Sequence, residues 1–165
     1  MSIAIRMAWS DAIAGDDIET RRTDVDQTEE TRAVCLKWWD CMVRGDVAGM
    51  EALCADDFQS WSPGRGWIGK EATQEFTTWF RTLLVDGWFS FDDPIITVEG
   101  DRACVATGSH APLKNGNTYS NSYHFLHQIR DGKLIKTWEY NDSLHVWGVL
   151  ETELTAKRAE AAAQQ

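Results

Sequence analysis

The feature that most constrains this chain is a change of period at residue 88. Before it, apolar residues recur at helical spacing; after it, they alternate. In 27–44 the apolar positions Val34, Trp38, Cys41 and Met42 fall on one helical stripe, widened by Cys35 and Trp39. Lys37, Asp40 and Arg44 lie opposite, so Asp40 reads as the surface partner of Lys37 or Arg44. Asp26 with Glu29 predicts a capping box at the start, and Gly45 a stop. A short helix over 46–54 is capped by Asp46. "DDFQSWSPG" then reads as a strand, and 69–85 as a helix with Ala72, Phe76, Trp79, Phe80 and Leu83 on one stripe. From 88 onward, "WFSFDDPIITVEG", "RACVATGSHAPL", "TYSNSYHFLHQIR" and "KLIKTWEYND" are four strand candidates. Gly100-Asp101, Lys114-Asn115-Gly116-Asn117 and Asp131-Gly132 are the turns between them. Helices followed by an antiparallel meander define an α+β chain.

At 165 residues the chain is of one-domain size. Residues 1–26 read as an acidic flexible arm, 27–150 as the domain, and 151–165, rich in Ala, Glu and Lys, as a helical tail. The net charge is −10, and residues 1–30 hold eight acids against three bases. With no basic stripe, nucleic acid is excluded as a partner. No run of apolar residues is long enough to cross a membrane, so no membrane partner is expected. Arg6 and Asp11 interrupt the apolar start "MSIAIRMAWSDAIAG", which therefore does not read as a secretory leader. Cys35, Cys41, Cys54 and Cys104 match no zinc spacing. They read as reduced thiols of a cytoplasmic protein, and no metal is expected. Nine tryptophans exceed what one core needs. The surplus points to a ring-walled pocket or interface.

Taking Asp131-Gly132 as a two-residue loop pairs Arg130 with Lys133. Counting outward, Phe125 faces Trp138, Tyr123 faces Tyr140, and Asn121 faces Asp142. Alternation then gives one aromatic face with Tyr119, Asn121, Tyr123, Phe125 and His127 on one strand. The other strand adds Trp138, Tyr140 and Asp142. That face is expected to meet the helices, with Asp142 held at its edge. A one-residue bulge would exchange the faces.

The order helix, "GDVAGMEALCADDFQSWSP", helix opening at Gly69-Lys70, meander, "RDGKLIKTWEYND" resembles the NTF2-like superfamily over about residues 28–150. The likeness is to its SnoaL-like and ketosteroid-isomerase-like branches. It implies a curved antiparallel sheet around a cone-shaped pocket, packed on N-terminal helices. It also implies a homodimer through the outer sheet face and no cofactor. The ketosteroid-isomerase tyrosine falls on Trp38, and its base aspartate on Ser62, before Pro63. Both groups are missing, and a serine is no base near neutral pH. The acid/base aspartate of SnoaL-like cyclases falls on Asp142, after Trp138-Glu139-Tyr140-Asn141. The partner histidine falls among His110, His124 and His127, of which alternation favours His127. Scytalone dehydratases would draw on His110, His127, Tyr123 and Asn121. The epoxide-hydrolase Asp–Arg–Asp set finds no Arg-x-Asp on the 101–111 strand.

Asp142 is the first candidate catalytic group: in a dry site it is a usable acid/base, and otherwise it caps "SLHVWGVL". His127 or His110 would be its partner. Tyr123 and Tyr140 could donate to a developing oxyanion. Asn121, Trp38, Trp61, Trp79, Trp88, Phe125, Trp138 and Ser62 are the candidate substrate contacts, with "SWSPGRGW" a candidate lid. The expected function is a cofactor-independent lyase (retro-aldol cleavage or dehydration) acting on a hydrophobic aromatic small molecule such as a lignin-derived diaryl compound. An isomerase or cyclase on a polyketide or steroid-like ring, an epoxide hydrolase, and a non-catalytic small-molecule-binding dimer module are the alternatives.

Overall fold

The computed structural model describes residues 17–163, with side chains from Val25 onward. In chain order the elements are α1 (Asp17–Arg44), α2 (Val47–Leu53), β1 (Cys54–Ser62), β2 (Gly66–Gly69), α3 (Lys70–Arg81), β3 (Ser90–Phe91), β4 (Ile95–Glu99), β5 (Arg102–Pro112), β6 (Thr118–Arg130), β7 (Lys133–Asn141) and α4 (Ser143–Ala162). None of the described helices is long and apolar enough to cross a membrane.

The helix expected over 27–44 starts at Asp17 instead, so Asp26 and Glu29 lie inside it and form no capping box. The reason is local. No Gly or Pro stands between Gly15 and Gly45 to break it. Of the expected flexible arm, residues 17–26 are therefore helical, and 1–16 lie outside the described residues. The predicted stripe is the buried one: Val34, Cys35, Trp38 and Cys41 are in the core, while Arg44 pairs with Asp40 at 2.6 Å on the open side. Asp46 caps α2 by accepting from Gly49 N. All four thiols are free.

Among the described residues, seven strands form one unclosed sheet in the order β2-β1-β7-β6-β5-β3, with β4 also on β5. Every pairing is antiparallel except β1 with β7, which run parallel. Helix α1 lies across the inner face, where Ala103, Val105, Phe125, Ile129 and Leu134 close the main core. A second core at the other end packs Leu150 of α4 on Leu84, Ala111, Leu113 and Tyr119. Of the segment expected as a helical tail at 151–165, residues 151–162 are the second half of α4, which is kinked at Leu150 (φ −132°), and 164–165 lie outside the described residues.

The closing hairpin departs from its predicted register. Asp131 and Gly132 both have positive φ, as the two-residue turn requires, and Arg130 pairs with Lys133. Ile129 then faces Leu134, but Gln128 faces Lys136. Ile135 is bulged out. Beyond it Leu126 faces Trp138, Phe125 faces Glu139, His124 faces Tyr140 and Tyr123 faces Asn141. The predicted pairs Phe125–Trp138, Tyr123–Tyr140 and Asn121–Asp142 are thus each displaced, and the faces of β7 are exchanged. Strict alternation after Leu134, which is fully buried, would aim Lys136 into the core. An unpaired ammonium there is costly, whereas a bulge leaves one residue unpaired. The bulge turns Lys136 outward, with Nζ 5.9 Å from the Trp67 ring centre, and puts Thr137 inside. Leu134→Ala should lower stability by about 2–5 kcal/mol with an unchanged denaturant m-value, read from urea unfolding curves.

Candidate active site

Between the inner sheet face and helices α2 and α3 lies a cavity of about 210 Å³. Its walls are mostly rings, including Trp38, Phe58, Phe80, Trp88, Phe89 and Phe125. The 3.6-residue period of α1 brings Trp38 there, the stripe of α3 brings Phe76 and Phe80, and alternation on β6 brings Tyr119, Tyr123 and Phe125. Trp88 is fixed by donating Nε1–H to the Met42 carbonyl at 2.6 Å.

Two groups of polar side chains on this wall can do chemistry. Tyr119 and Tyr123, two apart in their face of β6, meet hydroxyl to hydroxyl at 2.8 Å. Asn121 Nδ2 donates to the Tyr119 oxygen at 2.9 Å, and Ser109 Oγ donates to the Tyr123 oxygen at 3.3 Å. The pair holds two hydroxyl protons, and their mutual bond uses one. The second is left to donate to a ligand. Burial pushes the Tyr119 hydroxyl up to about 12 and Tyr123 well above its ordinary value, with the Glu139 charge adding to both. Both are protonated donors at neutral pH.

Glu139 faces the same cavity, because of the bulge. Its Oε1 accepts from Asn141 Nδ2 at 2.9 Å, and its Oε2 stands 4.0 Å from Arg65 Nη2. Arg65 comes from the tip of the β1–β2 hairpin, between Gly64 and Gly66, whose positive φ values the turn needs. Its guanidinium lies 4.3 Å from the Phe76 ring centre, and burial lowers its pKa. A carboxylate, a guanidinium and an unspent phenol proton among rings can take a proton from a carbon acid and hold the oxyanion that forms.

The sequence candidates divide sharply. Trp38, Trp88, Tyr123 and Phe125 line the cavity. Asn121 is buried beside it and holds Tyr119. Asp142 is not a buried acid. It is exposed and caps α4, accepting from Leu144 N and His145 N at 3.1 Å each. Its backbone reaches Asn121, but its carboxylate lines neither cavity described below or above. Tyr140 and Trp138, turned outward by the bulge, pack on Trp61 and Trp67 of the outer face. Trp79 packs on Phe76 and Phe80 outside the inner cavity. His110 is exposed at the end of β5, between Ser120 Oγ at 2.9 Å and Asp92 Oδ1 at 3.4 Å. Ser62 is buried and borders a second, outer cavity.

His127 faces inward, as alternation predicted, but lies behind the cavity wall. It is fully buried 4.3 Å from Trp38, ring centre to ring centre, and its Nδ1 shares a 2.9 Å bond with Thr137 Oγ1. Burial lowers its pKa to about 3, so it stays neutral and is no acid at physiological pH. Glu139 and Arg65 escaped the sequence reading. The signal for Glu139 was Lys136: placing that cation outside places Glu139 inside. For Arg65 it was the Gly-Arg-Gly tip, read above only as a lid.

This arrangement, a ring-lined cavity between helices and an open sheet, is that of the NTF2-like fold. A family profile for the SnoaL-like domain matches residues 35–137, and the chain belongs to that family. Solved structures agree on the fold. An NTF2-like protein from Burkholderia xenovorans LB400 is 22% identical, covering 74% of this chain and 96% of that one, with a TM-score of 0.63. An isomerase candidate from Bacillus subtilis is 18% identical, with 76% and 95% coverage and a TM-score of 0.65. An epoxide hydrolase from M. tuberculosis is 15% identical, with 81% and 98% coverage and a TM-score of 0.61. No curated protein sequence matches.

The neutral buried His127 makes a pH prediction. Its folded pKa, about 3, lies below its unfolded value of about 6.5. The unfolded chain therefore takes up a proton first. This contribution to stability is whole above about pH 6.5 and is lost at up to about 1.4 kcal/mol per pH unit as pH falls toward 3. His127→Leu should flatten the acid limb of stability against pH by about one proton relative to the unaltered chain, measured by urea unfolding between pH 7 and 4.

Proposed function

We propose that this protein is an acid–base enzyme that forms the enolate of a hydrophobic aromatic carbonyl compound. Glu139 is the base and the Tyr119–Tyr123 pair donates to the enolate oxygen. The observation that carries the reading is the meeting of a cavity-facing carboxylate with a phenol pair that keeps one proton unspent. Arg65 sets a positive charge 4.0 Å from Glu139. Retro-aldol cleavage and dehydration, the lyase steps, pass through such an enolate, and so do ring isomerisation and aldol cyclisation. Each step uses groups of this chain alone. The ring-lined wall supports an aryl substrate.

Two copies joined through the outer sheet face complete the proposal. Trp67 and Tyr140 are exposed there, joined by Trp61 and Trp138 in one cluster of rings. Replacing Trp67 with Lys should shift the chain from dimer to monomer on size-exclusion chromatography with light scattering.

Exchange of the α-protons of 2-tetralone in D2O, followed by proton NMR, tests the chemistry. The chain should exchange them faster than buffer. Glu139→Gln should slow the enzymatic exchange by on the order of 10²-fold or more, with quenching of the cavity tryptophans by the ketone unchanged. Exchange no faster than buffer, or undiminished in Glu139→Gln, overturns the proposal.

A further inference from the structure

A second cavity, of about 420 Å³, opens beyond the first, under helix α4. Arg65, Phe76, Phe80, Tyr119 and Glu139 line both. The two therefore meet at the residues to which the chemistry is assigned above. The inner cavity is ring-walled and sets Arg65, Lys70 and Arg81 against Glu51 and Glu139. The outer one sets Arg65, Lys157 and Arg158, with Ser62 and Asn141, against Glu139 alone.

These cations are held in place by rings. Lys157 Nζ lies 5.8 Å from the Trp79 ring centre, and the Arg158 guanidinium 4.6 Å from that of Trp147. Lys157 also stands 3.8 Å from Glu160, an exposed acid that is not on the cavity wall. Arg65, between the chambers, is unsatisfied. Its Nε is buried without a hydrogen-bond partner among the described residues, and 4.0 Å from Glu139 is too long for a hydrogen bond. A buried guanidinium donor left unused is costly unless a ligand meets it. In a chain of net charge −10, three cationic side chains on one cavity wall run against the overall charge.

We propose that the two cavities form one binding site for an elongated aromatic monocarboxylate. Its ring would lie in the inner chamber and its carboxylate in the outer one, among Arg65, Lys157 and Arg158. The inner cavity by itself is below the roughly 300–1,000 Å³ of ordinary small-molecule sites, and the outer one supplies the missing length. A single negative charge fits better than a phosphate dianion, because Glu139 shares the wall and repels added charge. Arg65 presents a planar fork suited to a carboxylate. This inference rests on the reading of the inner chamber as the reaction chamber and names the substrate class for it.

Binding of 4-phenylbenzoate and its neutral counterpart 4-phenylbenzamide, followed by quenching of tryptophan fluorescence, tests it. The carboxylate should bind about tenfold tighter than the amide. Lys157→Ala combined with Arg158→Ala should bring the two within about twofold, by weakening the carboxylate and leaving the amide unchanged. Lys37→Ala with Arg102→Ala, an equal change of net charge at exposed sites elsewhere, should preserve the preference. Equal binding of both probes to the unaltered chain overturns the carboxylate site while leaving the enolate chemistry standing. So does a preference that survives loss of Lys157 and Arg158, or one that the remote pair removes just as well. If neither probe binds, the inner chamber itself is not an aryl site, and both proposals fall.

Discussion

The position of one ammonium group decides the inner surface of this molecule. Lys136 follows Leu134 at a spacing that would place both on one face of β7, and Leu134 is fully buried. A bulge at Ile135 removes the conflict. Everything downstream inverts with it: Thr137 and Glu139 turn toward the helices, Trp138 and Tyr140 toward solvent. The cavity owes the Glu139 carboxylate to the expense of desolvating a lysine two turns of the pleat away. The ring cluster on the outer sheet face has the same origin, since Trp138 and Tyr140 meet Trp67 and Trp61 only because they were expelled from the interior.

The phenol pair is held by one amide. Asn121 is the hub: it donates to Tyr119, accepts from Ser122 N at 2.8 Å, and accepts from Asp142 N at 2.9 Å. One amide thus ties the phenol pair to the start of α4. Helix α4 in turn is anchored by Leu150 in the second core. The inner and outer chambers are consequently built on a single connected frame, with the cap of α4 at Asp142 as its corner. Asp142 contributes to the site through its backbone and through the helix it starts, while its charge serves the cap.

Much of this was legible in the chain, and what was not has a physical reason. The period change, the turns and the helical stripes are local signals, and α2, α3, β1, β5, β6 and β7 formed where those signals lie; β2 was read only as part of a lid, and the single strand expected from 88 onward is broken into β3 and β4. The start of α1 was misplaced because a plausible cap at Asp26 outweighed the absence of any helix breaker back to Gly15. The inward face of β6 was read correctly from Tyr119 to Ile129, since no bulge interrupts it. On β7 a single unpaired residue defeated the count, and with it went Asp142, Tyr140 and Trp138 as pocket groups. His127 was placed on the right face, but it lies behind the cavity wall. Alternation reports direction, not depth, and full burial keeps this imidazole neutral.

The parallel contact of β1 with β7 has its own consequence for how the molecule is made. Trp61 pairs with Trp138, so the strand that receives β1 is the last of the sheet to leave the ribosome. Until then β1 and β2 offer an unpartnered hairpin edge bearing two tryptophans. A pairing so distant along the chain closes slowly, which makes the nascent first half the stage most in need of a chaperone's protection.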